Sequence, residues 1–341
     1  MRWKGNQALS PEQTDLYENA SSDKGDLIAD MRTGMTVEGL FAVMQAATRP
    51  TKSGQPFLTL ELRDHTGHIR AVGWEHAHLI DQLGTGKVIW LEGTVDEYQG
   101  DPQIRLTDLR VTTGDSPPEF FVPAGPQDRE MLKARLDRVL GEVKTPCLSE
   151  LLDRIFGDAD LLGAYLRAPA AKLRHQAYVG GLAEHSLNMA EHAMHCADFY
   201  PELNRDLLVT GALLHDIGKI EEYRIDTVIE FSDVGRMEGH IVLGDRLVRR
   251  MADQIADFPE DLRMQLSHLI LSHQGRLEYA SPVTPKSIEA VVLYVLDLLD
   301  SRVATWRDIR DRYAGQNRRW SDYDRLDERF WFLGEGTPNG P

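Results

Sequence analysis

A proline-rich segment at 114–128, GDSPPEFFVPAGPQD, divides the chain into two stretches with different hydrophobic periods. Its four prolines interrupt helices and central strands alike, so the segment predicts an interdomain linker. A chain of 341 residues is long enough for a domain on each side. We therefore expect a polar N-terminal arm at 1–33, a first domain at 34–113, the linker, a second domain at 129–318 and a C-terminal tail at 319–341.

Short β-like runs fill the first domain, and helical periodicity fills the second. Five such runs, from TVEGLFAVMQAA to PQIRLTDLRV, are separated by turn-forming stretches and by one short helical insert at 76–83. In the second run, Leu58, Leu60 and Leu62 share one face. The pattern favours a small closed barrel over the alternative, a β-sandwich fragment. The second domain is predicted to be helical, apart from a hairpin within 224–235.

Composition argues against several classes of protein. The formal charge of −16 is unlike that of a broadly basic nucleic-acid clamp, so any nucleic-acid site must be local. Cys147 and Cys196 form no CxxC pattern, which argues against a disulfide framework and a thiolate zinc site. No apolar run approaches the roughly 20 residues of a membrane span. We expect a cytoplasmic protein with no membrane partner, and the sequence leaves open whether it forms a homo-oligomer.

Histidine placement points to metal chemistry. Eight of the twelve histidines fall between His175 and His273, inside the helical stretch. The candidates with the strongest context are His185, His215 beside Asp216, His240, His273 and the later Asp297. Imidazole nitrogen and carboxylate oxygen together suit Mn, Fe, Zn or Mg, and a site that mixes them serves hydrolysis.

The His-Asp pair ends a predicted helix, LLVTGALLHD at 207–216. The helix dipole disfavours a carboxylate at this end, and a bound cation would explain Asp216 there. Gly218 predicts a left-handed helix cap, and Lys219 is suited to an anionic substrate. Asp297 lies in an apolar helix, where a buried carboxylate needs a partner. Asp300, one turn later, is its rival, and periodicity does not separate the two.

The order of His185, His215–Asp216 and Asp297 resembles the HD superfamily of metal-dependent phosphohydrolases, which is named after the pair. The segments GGLAEHSLNM, NRDLLVTGALLHDIGKI, EGHIVLGDRLV and YVLDLLDSRV are similar to those of YhaM-type 3′→5′ exoribonucleases. Those proteins carry an N-terminal OB-fold domain, which MTVEGLFAV and VIWLEGTVDEYQGDPQIRLTDLRV resemble. The resemblance implies an α+β multidomain protein, with a small five-stranded OB-type β-barrel followed by an all-α HD-type helical domain.

The resemblance also implies a site. Asp216 and Lys219 would be catalytic, and the metal ligands would be His185, His215, Asp216, His240, His273 and Asp297. Mn²⁺ is the implied metal, with Mg²⁺, Fe²⁺ and Co²⁺ as alternatives. Related sequences often have His-His-Gly where this chain has Gln274 in the middle position, which leaves the number of ions open. A substrate loop facing the same cleft would contribute Arg276, Glu278 and Ser281.

The implied reaction is metal-dependent 3′→5′ cleavage of single-stranded RNA to nucleoside 5′-monophosphates, and the sequence leaves open whether single-stranded DNA is also cleaved. The barrel would hold the strand through Arg49, Lys52, Arg63, Arg70, Trp74 and Arg105. Residues 35–113 contain seven Lys or Arg against ten Asp or Glu, so we expect the barrel alone to bind weakly. Two alternatives stay open. One is a phosphohydrolase acting on small nucleotides or cyclic dinucleotides, and the other is a noncatalytic single-strand-binding regulator.

Overall fold

The computed structural model describes residues 24–98, 101–112, 117, 120–172, 176–313, 316, 318–325 and 327–334. Most of the predicted arm, the first part of the linker and the end of the tail lie outside these residues. The chain separates into two compact units. The first contains the barrel, Ile225–Ile229 and the residues from Ile309 onward, and the second contains Gln127–Arg224 and Glu230–Asp308. Each unit has an apolar core of its own.

The first unit is built on a closed five-stranded barrel in the order β1-β2-β3-β5-β4. Its strands are β1 (Thr36–Pro50), β2 (Pro56–Asp64), β3 (Gly67–Gly73), β4 (Val88–Tyr98) and β5 (Asp101–Val111). Neighbouring strands are antiparallel, except that β3 and β5 are parallel. The predicted insert is a 3₁₀ helix at Ala77–Gln82. Leu58, Leu60 and Leu62 point into the core, which confirms the predicted barrel and the alternation behind it.

Residues on both sides of the strands also pack on the barrel. Ile28 is buried in the barrel core, although it lies within the polar arm predicted at 1–33. Nearby, Lys24 is buried with its Nζ atom 3.0 Å from Asp64 Oδ2, and Asp64 also accepts the backbone N–H of Ile28. Phe120 and Phe121 of the predicted linker are buried as well. The aromatic residues of the linker therefore anchor it, which its proline content does not predict.

In the described part of the helical unit there are eight complete helices and most of a ninth. They are α1 (Arg129–Leu140), α2 (Pro146–Phe156), α3 (Ala159–Tyr165), α4 (Gly181–Phe199), α5 (Arg205–Leu214), α6 (Lys219–Glu222), α7 (Asp233–Ala252), α8 (Glu260–Ser272) and α9 (Ile288–Arg312). The predicted hairpin comprises β6 (Tyr223–Ile225) and β7 (Ile229–Phe231). Helix α5 begins with an Asn204 cap and is buried along its length between α4 and α8. Among the described residues, no helix has the length and apolar character needed to cross a membrane.

Part of the predicted C-terminal tail is folded back on itself. The backbone N–H of Ser321 donates to the carbonyl of Trp331 at 2.9 Å. Asp324 and Arg329 exchange two backbone hydrogen bonds of 2.8 and 3.2 Å. The described part of this segment therefore has local backbone pairing, while residues 335–341 lie outside the description.

Candidate metal centre

The six predicted metal ligands come together in the helical unit from five helices. His185 lies on α4, His215 and Asp216 follow α5, His240 lies on α7, His273 follows α8, and Asp297 lies on α9. Four of the six side chains are buried, and two are partly buried. Buried histidine and aspartate need hydrogen-bond partners or an ion, so their convergence from separate helices marks a candidate site.

The two carboxylate oxygens of Asp216 divide the histidines into two pairs. Oδ2 lies 3.3 Å from His215 Nε2 and 3.9 Å from His185 Nε2. Oδ1 lies 3.3 Å from His240 Nε2 and 3.5 Å from His273 Nε2. Within each group of Asp216 and two histidines, the ligand atoms all lie within 4.8 Å of one another. Either group could therefore hold a metal ion.

Backbone carbonyls orient two of the four imidazole rings. His215 Nδ1 lies 2.9 Å from the carbonyl oxygen of Ala212, and His273 Nδ1 lies 2.7 Å from that of Ile270. A carbonyl oxygen only accepts hydrogen bonds, so these rings carry their proton on Nδ1. When the rings are neutral, their Nε2 atoms are unprotonated and can bind a cation.

Carboxylates orient the other two rings. His185 Nδ1 lies 2.7 Å from Asp300 Oδ2, and His240 Nδ1 lies 3.0 Å from Glu222 Oε1. Asp297 approaches His185 from the other side, with Oδ1 3.3 Å from Nε2. The geometry thus distinguishes the positions of Asp297 and Asp300, which helical periodicity leaves equivalent. Asp297 faces the Nε2 atoms of the cluster, and Asp300 stands behind the His185 ring.

Opposing effects set the charges of the cluster. Burial alone would raise the pKa of Asp216, but Lys219 and His215 outweigh it and hold that pKa well below its usual value. The Lys219 ammonium lies 2.6 Å from Asp216 Oδ2. Burial alone would lower the pKa of His185, yet hydrogen bonds to Asp297 and Asp300 raise it to about 10. Without a cation, ionised aspartates are therefore paired with cationic side chains here.

Two buried atoms of the cluster have no hydrogen-bond partner among the described residues. They are Asp216 Oδ1 and His240 Nε2, and they lie 3.3 Å apart. An unsatisfied buried polar group costs roughly 1–3 kcal/mol, and a cation bound by both atoms would remove that cost. The mixed imidazole and carboxylate donor set also suits a divalent transition metal. The residues present therefore fit a catalytic metal.

The prediction that Gly218 forms a left-handed helix cap is wrong. Its φ of −62° and ψ of −15° are right-handed, and any residue can adopt them. What the site requires is the absence of a side chain. A Cβ atom at this position would lie 2.0 Å from the carbonyl oxygen of His240 and 2.5 Å from the backbone nitrogen of Gly244. The glycine thus allows α7 to pack closely enough to bring His240 to Asp216.

The predicted substrate loop is divided by its burial. Arg276 and Glu278 are exposed, and Glu278 lies in a 3₁₀ turn at Leu277–Tyr279. Ser281 is buried, and its hydroxyl donates to the carbonyl of Val283 at 2.7 Å, so it shapes the loop instead of facing a substrate. Before the loop, Gln274 places its Nε2 atom 3.2 Å from His273 Nε2, at the position where related sequences often have a second histidine.

On the barrel, one aromatic pair stands out. Trp74 is 53% exposed and stacks on Phe57, with 6.0 Å between ring centroids and 16° between ring planes. Arg49 lies opposite Phe57 in the register of β1 and β2, and Lys52 is exposed in the turn that follows. Phe57 alternates with the buried Leu58 along β2, and this alternation is the signal that Phe57 lies on the outer face of the strand.

The other predicted barrel cations are less available to a phosphate. Arg70 lies 3.7 Å from Glu61, and Arg105 lies 3.2 Å from Asp96. Burial lowers the pKa of Arg63, and its Nε atom is buried without a hydrogen-bond partner among the described residues. Arg63 is therefore the least accessible of the predicted cations.

Each of the two units contains a segment that matches a known family of domains. The HD domain profile matches residues 182–302, and the profile of the OB-fold nucleic acid binding domain matches residues 36–112. The second OB-fold domain of replication protein A from Methanococcus maripaludis aligns with 27% of this chain and 97% of its own, at 20% identity. Its TM-score of 0.22 is too low to bear on function.

Two curated relatives match almost from end to end. The 3′-5′ exoribonuclease YhaM of Oceanobacillus iheyensis is 30% identical over 279 residues, which cover 81% of this chain and 87% of that protein. The protein of the same name from Listeria monocytogenes serotype 4b is 31% identical, and the match covers 80% of this chain and 88% of the relative. With identity and coverage at these levels, this chain belongs to the YhaM family.

Proposed function

We propose that this chain is a metal-dependent 3′→5′ exonuclease that hydrolyses single-stranded RNA to nucleoside 5′-monophosphates, with single-stranded DNA as an alternative substrate to be tested. The observation that carries the proposal is the buried cluster around Asp216, in which Asp216 Oδ1 and His240 Nε2 lack hydrogen-bond partners among the described residues. The relatives are 3′-5′ exoribonucleases by name, and this motivates the RNA substrate and the direction of cleavage. Mn²⁺ is the metal we propose, with Mg²⁺, Fe²⁺ and Co²⁺ as alternatives. A cytoplasmic location stays a prediction, and whether the chain forms a homo-oligomer stays open.

The residues that would hold divalent metal are His185, His215, Asp216, His240, His273 and Asp297. Metal bound there would supply hydroxide near neutral pH and offset charge on the scissile phosphate. The chain's own groups prepare the site for that chemistry. The Lys219 ammonium, fixed 2.6 Å from Asp216, would stabilise the negative charge that develops on the phosphoryl oxygens. Because the pKa of Asp216 is held well below its usual value, this carboxylate acts as a ligand and a charge partner and is a poor proton acceptor.

The barrel would bind the strand through the exposed face of β2 and the end of β3. The exposed ring of Trp74, stacked on the partly exposed ring of Phe57, offers a surface for bases of any sequence. Arg49 and Lys52 lie close by in the chain register and would track the phosphates. The acidic balance of the barrel implies that this contact alone is weak, so binding would depend on the metal centre as well.

The test is a time course on a 5′-labelled single-stranded RNA oligomer with Mn²⁺, Mg²⁺ or EDTA. The wild type should produce a ladder that shortens from the 3′ end and releases nucleoside 5′-monophosphates, and EDTA should abolish it. Asp216→Asn preserves the shape of the side chain and should stop cleavage. The matched control is Asp253→Ala, which removes an exposed carboxylate paired with Arg263 and should leave the rate unchanged.

An oligomer that stays intact with every metal would refute the exonuclease. Hydrolysis of cyclic dinucleotides or small nucleotides under the same conditions would then support the phosphohydrolase alternative. Oligomer binding that is unaffected by EDTA and yields no product would support the noncatalytic regulator. A parallel series with single-stranded DNA of the same sequence measures the preference for the sugar.

A further inference from the structure

The candidate metal centre repeats one plan twice. Each half combines one oxygen of Asp216 with two imidazoles, of which one is backed by a backbone carbonyl and the other by a carboxylate. In the first half, His215 Nδ1 bonds to the carbonyl of Ala212, and His185 Nδ1 bonds to Asp300. In the second half, His273 Nδ1 bonds to the carbonyl of Ile270, and His240 Nδ1 bonds to Glu222. Neither backing carboxylate belongs to a group of potential metal ligands.

Asp300 occupies a position that requires an acceptor. Its Oδ2 atom receives His185 Nδ1 at 2.7 Å and Gln176 Nε2 at 3.3 Å, and its Oδ1 atom receives Asn188 Nδ2 at 3.1 Å. A carboxylate only accepts and satisfies all three donors. An asparagine of the same shape would turn its NH₂ group toward at least one of them. The side chain is also buried, which limits how far it could readjust.

Glu222 binds His240 of the second half, although Glu222 lies on α6 and His240 lies on α7. Its Oε1 atom receives both the backbone N–H and the Nδ1 atom of His240, each at 3.0 Å. His240 directly follows Gly239, whose φ of 74° and ψ of 156° interrupt α7. Glu222 therefore fixes the ring and the backbone of His240 at the point where the helix itself is irregular.

We propose that Asp300 and Glu222 are positioning residues, one for each half of the centre. Asp300 keeps the Nε2 atom of His185 directed at Asp216 Oδ2, and Glu222 keeps that of His240 directed at Oδ1. A carboxylate behind the ring also makes the far nitrogen a stronger metal ligand. In the described part of the chain the two carboxylates share no hydrogen-bond partner, so each acts on its own half. This inference rests on the proposed function, because it requires a site that binds a cation.

The experiment is a Mn²⁺ titration of the full chain, in which electron paramagnetic resonance measures the free ion. Asp300→Asn and Glu222→Gln should each lower the affinity for one Mn²⁺ about 10- to 100-fold and leave binding of the other ion unchanged. The matched control is Glu289→Gln. Glu289 is a buried carboxylate on the same helix as Asp300, but it accepts the backbone N–H of Asn204 at 2.9 Å. Glu289→Gln should change the melting temperature without changing Mn²⁺ affinity.

Double-mutant cycles assign each carboxylate to its ring. In a His185→Ala background, Asp300→Asn should have no further effect on Mn²⁺ affinity, whereas Glu222→Gln should keep its full effect. The His240→Ala background should give the reverse. These cycles separate positioning from a general loss of stability, because a destabilised fold would weaken binding in every background.

Wild-type Mn²⁺ affinity in both variants, or additivity in both matched cycles, would overturn the positioning roles and leave the exonuclease proposal standing. A single bound ion that responds to only one carboxylate would overturn the assignment of the other. If the wild type binds no Mn²⁺ at all, both this inference and the proposed metal would be wrong. Loss of RNA cleavage with unchanged Mn²⁺ affinity would also overturn the inference.

Discussion

Replacing Gly218 with alanine tests whether the close approach of α7 builds the metal centre. The backbone angles at this position suit alanine, so the added Cβ atom is the only change. It would lie 2.0 Å from the carbonyl oxygen of His240. Real Cβ atoms essentially never come closer than 3.0 Å to such an atom, so the two backbones must separate by at least 1.0 Å, from 3.0 minus 2.0.

A separation of this size affects both stability and chemistry. Overpacking typically costs roughly 1–3 kcal/mol of unfolding free energy, and we expect the upper part of that range because backbone atoms cannot rotate away. The displaced carbonyl belongs to His240, so its ring moves relative to Asp216. A misplacement of about 1 Å in a catalytic constellation can cost about 10²-fold in rate. Gly218→Ala should therefore lower the cleavage rate by that order while the protein is still folded.

Urea unfolding followed by circular dichroism measures the first effect, and Mn²⁺-dependent cleavage of the RNA oligomer measures the second. Gly141→Ala is the matched control. Gly141 is also right-handed, with φ of −63° and ψ of −16°, but its Cβ neighbours would lie at 3.4 and 3.5 Å. This control should be neutral or up to roughly 1 kcal/mol more stable, with the wild-type rate. If Gly218→Ala is as stable and active as the wild type, the packing argument is wrong.

Three further predictions concern the charges and the barrel. Because the pKa of His185 is raised to about 10 and a cation needs its neutral ring, Mn²⁺ affinity should rise about tenfold per pH unit between about pH 7 and 9. Calorimetry in buffers of different ionisation heat should then show one proton released per ion bound at His185, and a pH-independent affinity would contradict this. Replacing Phe57 and Trp74 with alanine should cost about 1–3 kcal/mol of RNA binding per unstacked base while dinucleotide cleavage is unchanged, and Phe199→Ala, at an exposed aromatic residue of the helical unit, is a control that should not affect binding. Asp64→Ala leaves Lys24 buried without its partner and should cost about 3–5 kcal/mol in urea unfolding, whereas loss of the exposed Asp96 from its pair with Arg105 should have little effect.

The barrel was largely predictable because every second residue of a strand points to the same face, so a buried face appears in the sequence as alternate apolar residues. Leu58, Leu60 and Leu62 identified that face, and the structure buries all three. The burial of Ile28 and Phe120 was not predictable, because each is an isolated apolar residue in a polar or proline-rich segment. Such a segment has no hydrophobic periodicity that would mark a residue as buried. In the helical unit, the cluster members were identifiable from residue type. Their division into two halves depends on how five helices meet, which no local pattern encodes.

The separation of Asp297 from Asp300 illustrates the limit. Residues three apart lie on the same side of a helix, so sequence alone leaves them equivalent. They differ only because His185 of α4 inserts between them, with Nε2 toward one and Nδ1 toward the other. Glu222 and its neighbour Glu221 are likewise not distinguished by the sequence. One carboxylate reaches His240 and the other pairs with Arg246, and the short helix KIEE does not distinguish them.

A physical asymmetry explains why ligands appear in the sequence and positioning groups do not. A ligand must present one of a few kinds of atom to a cation, so only a few residue types serve, and the pair His215–Asp216 is visible as a motif. A positioning group only has to accept one hydrogen bond at the right place. In this centre the carbonyls of Ala212 and Ile270 do for two rings what Asp300 and Glu222 do for the other two. A carbonyl is available at every residue, so this half of the design becomes visible only when the helices are in place.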